Sequence, residues 1–429
     1  RDLYIGVADT MIMFKSKAFA LLFLLSSSSA FTFQHDKAVI ASSSAAFALN
    51  RAKSQTISPL RHSIAKTYLC MVPPTKEEEE AEAARVNAEL QHGERQSALI
   101  IQNKGGGHGE LGFQLAQHLL SHHSSKIKSV TILQDDACDP AKEPFKSYIT
   151  DLPEDKVTVV ECNLSFEMSQ YQLQAMLGGR EASFDYVWDN NSKGVEGGSS
   201  KAILECAKAW NCKLFTYVSS AGIYKPTEET TFPMAEDTTP IKESAGQAQF
   251  EEYAAEIGLP LVSFRPQYIY GPKSNKWDYI DWYFDRLCRD QVLPIPGDGS
   301  QKVSLTNSQD VASLLASVLN NEEAAIQTRI FNCGTDDLVS YNEVAALCME
   351  VAGVKEGKIQ HYDASLGKAK FPFRLTDFFV SPDRAKEALG WDGPKNKLKD
   401  DLEWYFELYK ERGGLEREID FSADDEVLK

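Results

Sequence analysis

The chain has 429 residues, 43% of them hydrophobic, and a formal net charge of −17. Of its 45 basic and 62 acidic side chains, eight and three fall in residues 1–70, so residues 71–429 carry 37 against 59, a net of −22. The overall field of such a body does not draw in nucleic acid, and any RNA binding needs a local basic surface.

The length suits one large or two ordinary domains. The eight cysteines include no CxxC pair, which argues for buried, reduced thiols over a disulfide frame or a zinc site.

The N-terminal stretch reads as an address. MFKSKAFALLFLLSSSSAF, ending at Phe31, has a basic start, a short apolar run and small residues before a cut after Ala30. This is signal-peptide patterning, too short to span a bilayer as a helix. Met11 or Met13 is the expected initiator, so residues 1–30 are assigned to a signal peptide with a non-coding start. Residues 31–70 are rich in Ser and Ala, contain Arg51, Arg61 and Lys66, and hold Asp36 as their only acid. That is transit-peptide composition. A signal peptide followed by a transit peptide resembles the bipartite presequence of complex-plastid algae and implies the chloroplast stroma, with no membrane span. Residues 71–96 then form a charged lead-in.

The first expected strand, Ala98–Gln102, runs into Gly106, Gly109 and Gly112, spaced G-x-x-G-x-x-G before an amphipathic helix. Such glycines let backbone N–H groups approach a pyrophosphate and let helix pack on strand. His118 and His122 share a face of that helix with His123 close behind, a possible metal pair but more simply a solvated helix end. A second strand, 129–136, ends in Asp135 and Asp136. An acid there bonds a ribose 2′-hydroxyl and favours NAD, or simply caps a strand. Further strands are expected at 156–163, 184–191, 213–222 and 259–272, alternating with helices. The pattern predicts an α/β fold: a Rossmann-type doubly wound parallel sheet over 97–272 and a smaller C-terminal α/β lobe over 273–415, interleaved with it, then a tail over 416–429.

VSSAGIY (218–224), FRPQYIYGP (264–272), PIPGDGSQ (294–301), QDVASLLASVL (309–319), IFNCG (330–334) and LGW (389–391) follow in order. Together they resemble extended short-chain dehydrogenase/reductases of the NAD-dependent epimerase/dehydratase type. That resemblance implies NAD(P) on the glycine turn, a Ser such as Ser219 or Ser220 polarising substrate, and a Tyr–Lys pair four residues apart. A Lys one turn away lowers the Tyr pKa, and the spacing puts both on one helical face.

No Tyr in the chain has a Lys four residues on. With Glu251 aligned to the acid that follows the Lys, Glu243 and Gln247 occupy the Tyr and Lys positions. Ser244 and Gln247 instead fit a capping box opening a helix that buries Phe250, Tyr253, Ala254 and Ile257. A diphosphate-gripping Arg is also replaced, by Val303, with Lys302 on the opposite strand face. Tyr224 is the one alternative acid–base group, for an epimerase, dehydratase or reductase with a non-standard set.

WDNNSKG (188–194), DWYFDRLCRDQVLPIPG (281–297), HYDAS (361–365), KFPFRLTDFF (370–379), EWYFELY and FSADDEVL add a narrower resemblance, to the chloroplast stem-loop-binding proteins. The Asn-Asn turn and GGGHGELG look closer to the a-type. This resemblance implies binding of structured RNA, a divalent-metal-dependent endoribonuclease activity, roles in transcript stability, association with plastid ribosome or transcription complexes, and assembly with itself or a paralogue. Lys368, Lys370 and Arg374 interleave with Phe371 and Phe373, a pattern that suits phosphate contact and base stacking, although such phenylalanines are commonly core. Lys193, Lys273, Lys276, Arg286 and Arg289 are further cations. If Mg²⁺ is used, Asp189, Asp135 and Asp136 are the strand-end carboxylates available.

Overall fold

The computed structural model describes residues 96–103, 111–135, 141, 145–273 and 277–429. The expected signal and transit segments, Gly106, Gly109, Asp136 and Lys276 lie outside the described residues.

The first part of the chain alternates strand and helix: β1 (Ser97–Gln102), α1 (Leu111–His122), β2 (Ser129–Asp135), α2 (Phe145–Thr150), β3 (Val157–Cys162), α3 (Gln170–Met176), β4 (Tyr186–Asn190), α4 (Ser200–Ala209), β5 (Leu214–Val218), α5 (Gly246–Glu256), β6 (Leu261–Pro266) and the two-residue β7 (Ile269–Tyr270). The rest contributes α6 (Asp278–Leu287), β8 (Leu293–Pro296), β9 (Lys302–Val303), β10 (Thr306–Asn307), α7 (Ser308–Ala316), α8 (Glu322–Thr328), β11 (Ile330–Cys333), β12 (Val339–Ser340), α9 (Tyr341–Ala352), β13 (Ile359–Tyr362), α10 (Asp383–Leu389), α11 (Leu398–Glu411) and α12 (Ser422–Val427).

Seven strands form one sheet in the order β11-β6-β5-β4-β1-β2-β3, and its neighbouring strands pair in parallel. Every residue of β4, β5 and β6 is buried, as expected for central strands covered on both faces. Alternate side chains feed two cores. Ala98, Ile100 and Trp188 face the layer of α1 and α7. Leu99, Ile101 and Val187 face the layer that holds α4 and α5. A third core, with Tyr283, Phe284, Tyr341, Phe371, Phe373 and Tyr405, joins α6, α9 and α11 in the C-terminal lobe. The lobes interleave because β11, which follows α6 to α8, returns to the sheet edge beside β6.

The chain order reverses at β1, which pairs with β2 on one side and β4 on the other. In open α/β sheets the crevice outside the carboxyl ends at such a point is where ligands bind. That edge is the place to look for a site.

Candidate functional site

Polar side chains end the strands at this edge. Gln102 lies opposite Asn190 and Gln134, and Ile101 opposite Asp189. Asn103 donates to Asn190 O at 3.2 Å, and Gln134 donates to Asn103 O at 3.4 Å. Even so, Asn103 Oδ1, Gln134 Oε1, Asn190 Oδ1, both polar atoms of the Asn191 side chain and Ser219 Oγ are buried without a hydrogen-bond partner. Buried polar groups are normally satisfied, so this concentration of orphaned atoms makes the carboxyl edge the candidate place for a polar ligand. At Gly112 an added Cβ would meet Gln102 Oε1 at 2.7 Å and Tyr148 Oη at 2.9 Å. The helix that follows the glycine turn therefore starts hard against the end of β1. A dinucleotide fits this chemistry of amides, a hydroxyl and a helix start packed against the end of β1.

Asp135 has a local job. Its Oδ1 accepts from the Leu164 N–H at 2.8 Å, which ties β2 to the chain leaving β3. Asp189 is fully buried and accepts from the Asn191 N–H at 2.8 Å. Burial pushes its carboxyl up to about 7, partly offset by that one hydrogen bond. A carboxyl so placed is not an open metal ligand. Among the described residues no group of three His, Cys, Asp or Glu side chains is arranged to hold a metal. His118 and His122 stack at 4.3 Å, and burial, then the neighbouring His122 and His123, lowers His118 to about 4.

The segment before α5 differs from the sequence expectation. The helix starts at Gly246, its N-cap is Ala245 and no side chain caps it, so the Ser244–Gln247 capping box does not form. Ala245 is extended (φ −69°, ψ 134°), which places Glu243 on the exposed turn ahead of the helix. Glu243 and Gln247 therefore do not share one helical face. The cause is long-range. A Cβ at Gly194 would lie 2.9 Å from Gly246 Cα, so the turn after β4 presses on the first residue of α5. Gln247 then donates from Nε2 to Ser192 O at 3.3 Å. The expected buried face is present: Phe250 and Ala254 are in the core, with Tyr253 and Ile257 packed against it.

Glu251 is structural. It accepts from Ser263 Oγ at 2.6 Å and from Arg265 Nη2 at 2.6 Å. The Arg265 guanidinium also donates to Tyr224 Oη at 3.2 Å and lies 5.1 Å from the Tyr224 ring centre. Tyr224 is wholly buried and donates to Asn332 Oδ1 at 2.7 Å. Burial drives its phenol up to about 12 against the opposing pull of Arg265. An acid–base tyrosine needs the opposite shift, so Tyr224 belongs to the core. Ser220 Oγ accepts from the Gly222 N–H at 2.9 Å and shapes the turn after β5. Ser219 is buried with no hydrogen-bond partner for its Oγ, and so remains the serine candidate at this edge.

The expected base-stacking pair is corrected as well. Phe371 and Phe373 are 1% and 0% exposed, packed among Trp282, Tyr283 and Tyr341. Arg286 forms a buried two-pronged bond to Asp424 at 2.7 and 2.8 Å. Arg289 holds the carbonyls of Gly414, Leu415 and Arg417. Lys273 pairs with Asp151 at 2.8 Å. These three cations are committed to the fold. Lys370 forms an exposed pair with Asp420 at 3.3 Å. Lys193 is exposed on the turn after β4, and its carbonyl accepts from Tyr217 Oη at 2.7 Å. Arg374 reaches the sheet edge, donating from Nη2 to Gly222 O at 3.2 Å. Lys242, which sequence reasoning missed, donates to the same oxygen at 3.0 Å.

The sequence profile of the NAD dependent epimerase/dehydratase family matches residues 105–334. The chain belongs to this family. It is 33% identical over 249 residues to the chloroplast stem-loop binding protein of 41 kDa b from Arabidopsis thaliana, a match covering 57% of this chain and 64% of that protein. This relative is the b form, where the Asn-Asn turn suggested the a-type. An uncharacterized UDP-glucose epimerase of Bacillus subtilis is 23% identical over 69% of this chain and 94% of its own. Among solved structures, dTDP-glucose 4,6-dehydratase from Bacillus anthracis in complex with NAD superposes with a TM-score of 0.56 at 16% identity, covering 74% of this chain and 97% of that one. UDP-glucuronic acid 4-epimerase from Bacillus cereus, in complex with UDP-glucuronic acid and NAD, superposes at 0.54 with 17% identity, covering 74% and 99%. At these identities the likeness establishes the fold.

Proposed function

We propose that this chain is a plastid RNA-binding protein, built on the epimerase/dehydratase fold and lacking the acid–base pair of sugar oxidoreduction. The observation that carries the reading is the 33% identity to a chloroplast stem-loop binding protein. The site supports it by removing the competing chemistry. Gln247 is bonded to Ser192 O, Glu243 stands off the helix, Tyr224 is locked in the core, and Val303 is 1% exposed where a cation would grip a diphosphate.

A dinucleotide at the sheet edge would be held by Asn103, Asn190, Asn191, Ser219 and the turn after β1. Bound NAD(P) would supply a hydride carrier, but the positions aligned with the family's Tyr and Lys hold Glu243 and Gln247. The cofactor in this reading serves the fold. Metal-dependent cleavage is not part of this reading: of the strand-end carboxylates described, Asp189 is buried and Asp135 Oδ1 accepts from the Leu164 N–H. Plastid ribosome or transcription complexes and a second copy or paralogue are the partners consistent with this role.

The test is fluorescence anisotropy with a stem-loop RNA and an unstructured RNA of equal length, from about 50 to 200 mM salt, the range over which phosphate contacts lose strength. Binding that favours the stem-loop and weakens with salt is expected. No affinity at the lowest salt, together with NAD-dependent turnover of a nucleotide sugar, would overturn the reading.

A further inference from the structure

Two cations converge on one oxygen at the carboxyl edge of the sheet. Lys242 Nζ and Arg374 Nη2 donate to Gly222 O at 3.0 and 3.2 Å. They come from segments far apart in sequence, the turn before α5 and the C-terminal lobe. Neither has a carboxylate partner among the described residues.

Each is held in place. The Arg374 guanidinium lies 3.7 Å from the Phe378 ring centre, and its backbone N–H donates to Tyr268 Oη at 3.1 Å. The turn carrying Lys242 is pinned by the Lys242 N–H to Ile223 O, 2.8 Å, and by the bridge between Tyr224 and Ile241. A third cation is close enough to feel the Arg374 charge: the exposed Lys368 ammonium, six residues earlier on the same segment, is pulled below its usual pKa by desolvation and then by Arg374. Most other cations in this lobe are neutralised: Arg286 by Asp424, Arg412 by Asp281, and Arg417 by Asp281 and Asp285. Lys242 and Arg374, brought to one oxygen without a carboxylate partner among the described residues, leave donors free for an anion. A guanidinium fork beside ammonium groups is the donor set that binds phosphate oxygens.

We propose that Lys242, Arg374 and Lys368 form a phosphate-binding cluster that grips the backbone of bound RNA across the carboxyl edge of the sheet. This rests on the RNA-binding reading and names the residues that carry it. Lys242 and Lys368 are exposed and Arg374 half-buried, so the cluster is an open ledge, suited to a polymer backbone that passes over it. It supplies local positive charge on a chain of net charge −17.

The experiment uses the full chain and the variants Lys242→Ala, Lys242→Glu and Arg374→Ala, with Lys213→Ala as control. Lys213 lies at the opposite, amino edge of the sheet, next to Asp185. Arg374 also packs on Phe378, so the exposed Lys242 carries the decision. Expected is a roughly 5-fold weaker stem-loop affinity for Lys242→Ala and a larger loss for Lys242→Glu. The loss should be similar across RNA sequences, with the salt slope reduced by about one unit, and Lys213→Ala should match the unaltered chain.

If the unaltered chain binds RNA and Lys242→Glu binds equally well, the cluster is not the grip and the inference fails alone. If the unaltered chain binds no RNA, the RNA reading fails first. Calorimetry with UDP separates a second source of phosphate. UDP binding that is lost in Lys242→Glu while RNA binding is untouched would also overturn the proposal.

Discussion

A carboxyl group with no cation beside it among the described residues is an unusual thing to bury in the middle of a sheet edge. Asp189 is 1% exposed, with the Asn191 N–H as its hydrogen-bond donor. Its folded pKa of about 7 lies above the ~3.9 of an unfolded chain. The native state therefore binds the extra proton between those limits, and stability falls as pH rises from about 4 to 7. Asp189→Asn keeps an acceptor oxygen for Asn191 and removes the ionisation. The variant should be more stable than the unaltered chain at pH 7.5, by roughly 2–4 kcal/mol, with the gap closing toward pH 4. Urea titrations at several pH values measure it, and a gap that does not depend on pH would refute the assignment. The same scale governs the lost pair. Glu243→Tyr with Gln247→Lys should give no NAD-dependent turnover of nucleotide sugars. The first position is on a turn three residues ahead of Gly246, where the helix begins, and Val303 still occupies the cation's place. Turnover by that double variant would show the geometry to be more forgiving than this.

At the scale of elements, the strands were legible because buried parallel strands are written as compact apolar runs. LIIQ, VTIL, YVW and LFTYV are followed by polar or glycine-rich breaks, and each lies where the sequence places it. The start of α5 was not legible. SAGQ has the letters of a capping box, but the contact of Gly194 with Gly246 goes with a helix boundary one residue later, with Ala245 as N-cap. The Lys368 to Arg374 segment misled for a related reason. Positive φ at Ala369 and Lys370 (43° and 54°) turns the chain and sends Phe371 and Phe373 into the core. Lys242 carried no motif at all, since its partner is a carbonyl twenty residues away. The C-terminal segment shows what such long-range pairing is worth. α12 is held by Arg286–Asp424, with side chains 4% and 7% exposed. Asp424→Ala removes two of the three hydrogen bonds made by a buried guanidinium, and should cost about 3 kcal/mol. Hydrogen exchange should show residues 415–427 opening first. Replacing both partners, Arg286→Met with Asp424→Leu, should recover most of the stability, since neither charge is then stranded.

For the molecule as a whole, the net charge and the proposed grip pull in opposite directions. An acidic body repels a phosphate polymer at long range, while three cations on one ledge attract it at contact. The repulsion is screened by salt over about 10 Å at 0.1 M, and the contacts are weakened by salt through released counter-ions. Added salt therefore relieves one effect while it erodes the other, and the net dependence must be shallow. Three phosphate contacts correspond to a slope of log affinity against log salt of roughly −2 to −3, and long-range repulsion flattens it further at low ionic strength. The expected curve is a slope no steeper than about −3 above 100 mM, levelling below about 50 mM. A slope of −6 or steeper would require many more cations than Lys242, Arg374 and Lys368, and so a basic surface elsewhere in the chain. A shallow slope that becomes shallower still in Lys242→Ala would place the binding on the sheet edge, where the fold already gathers its unsatisfied polar groups.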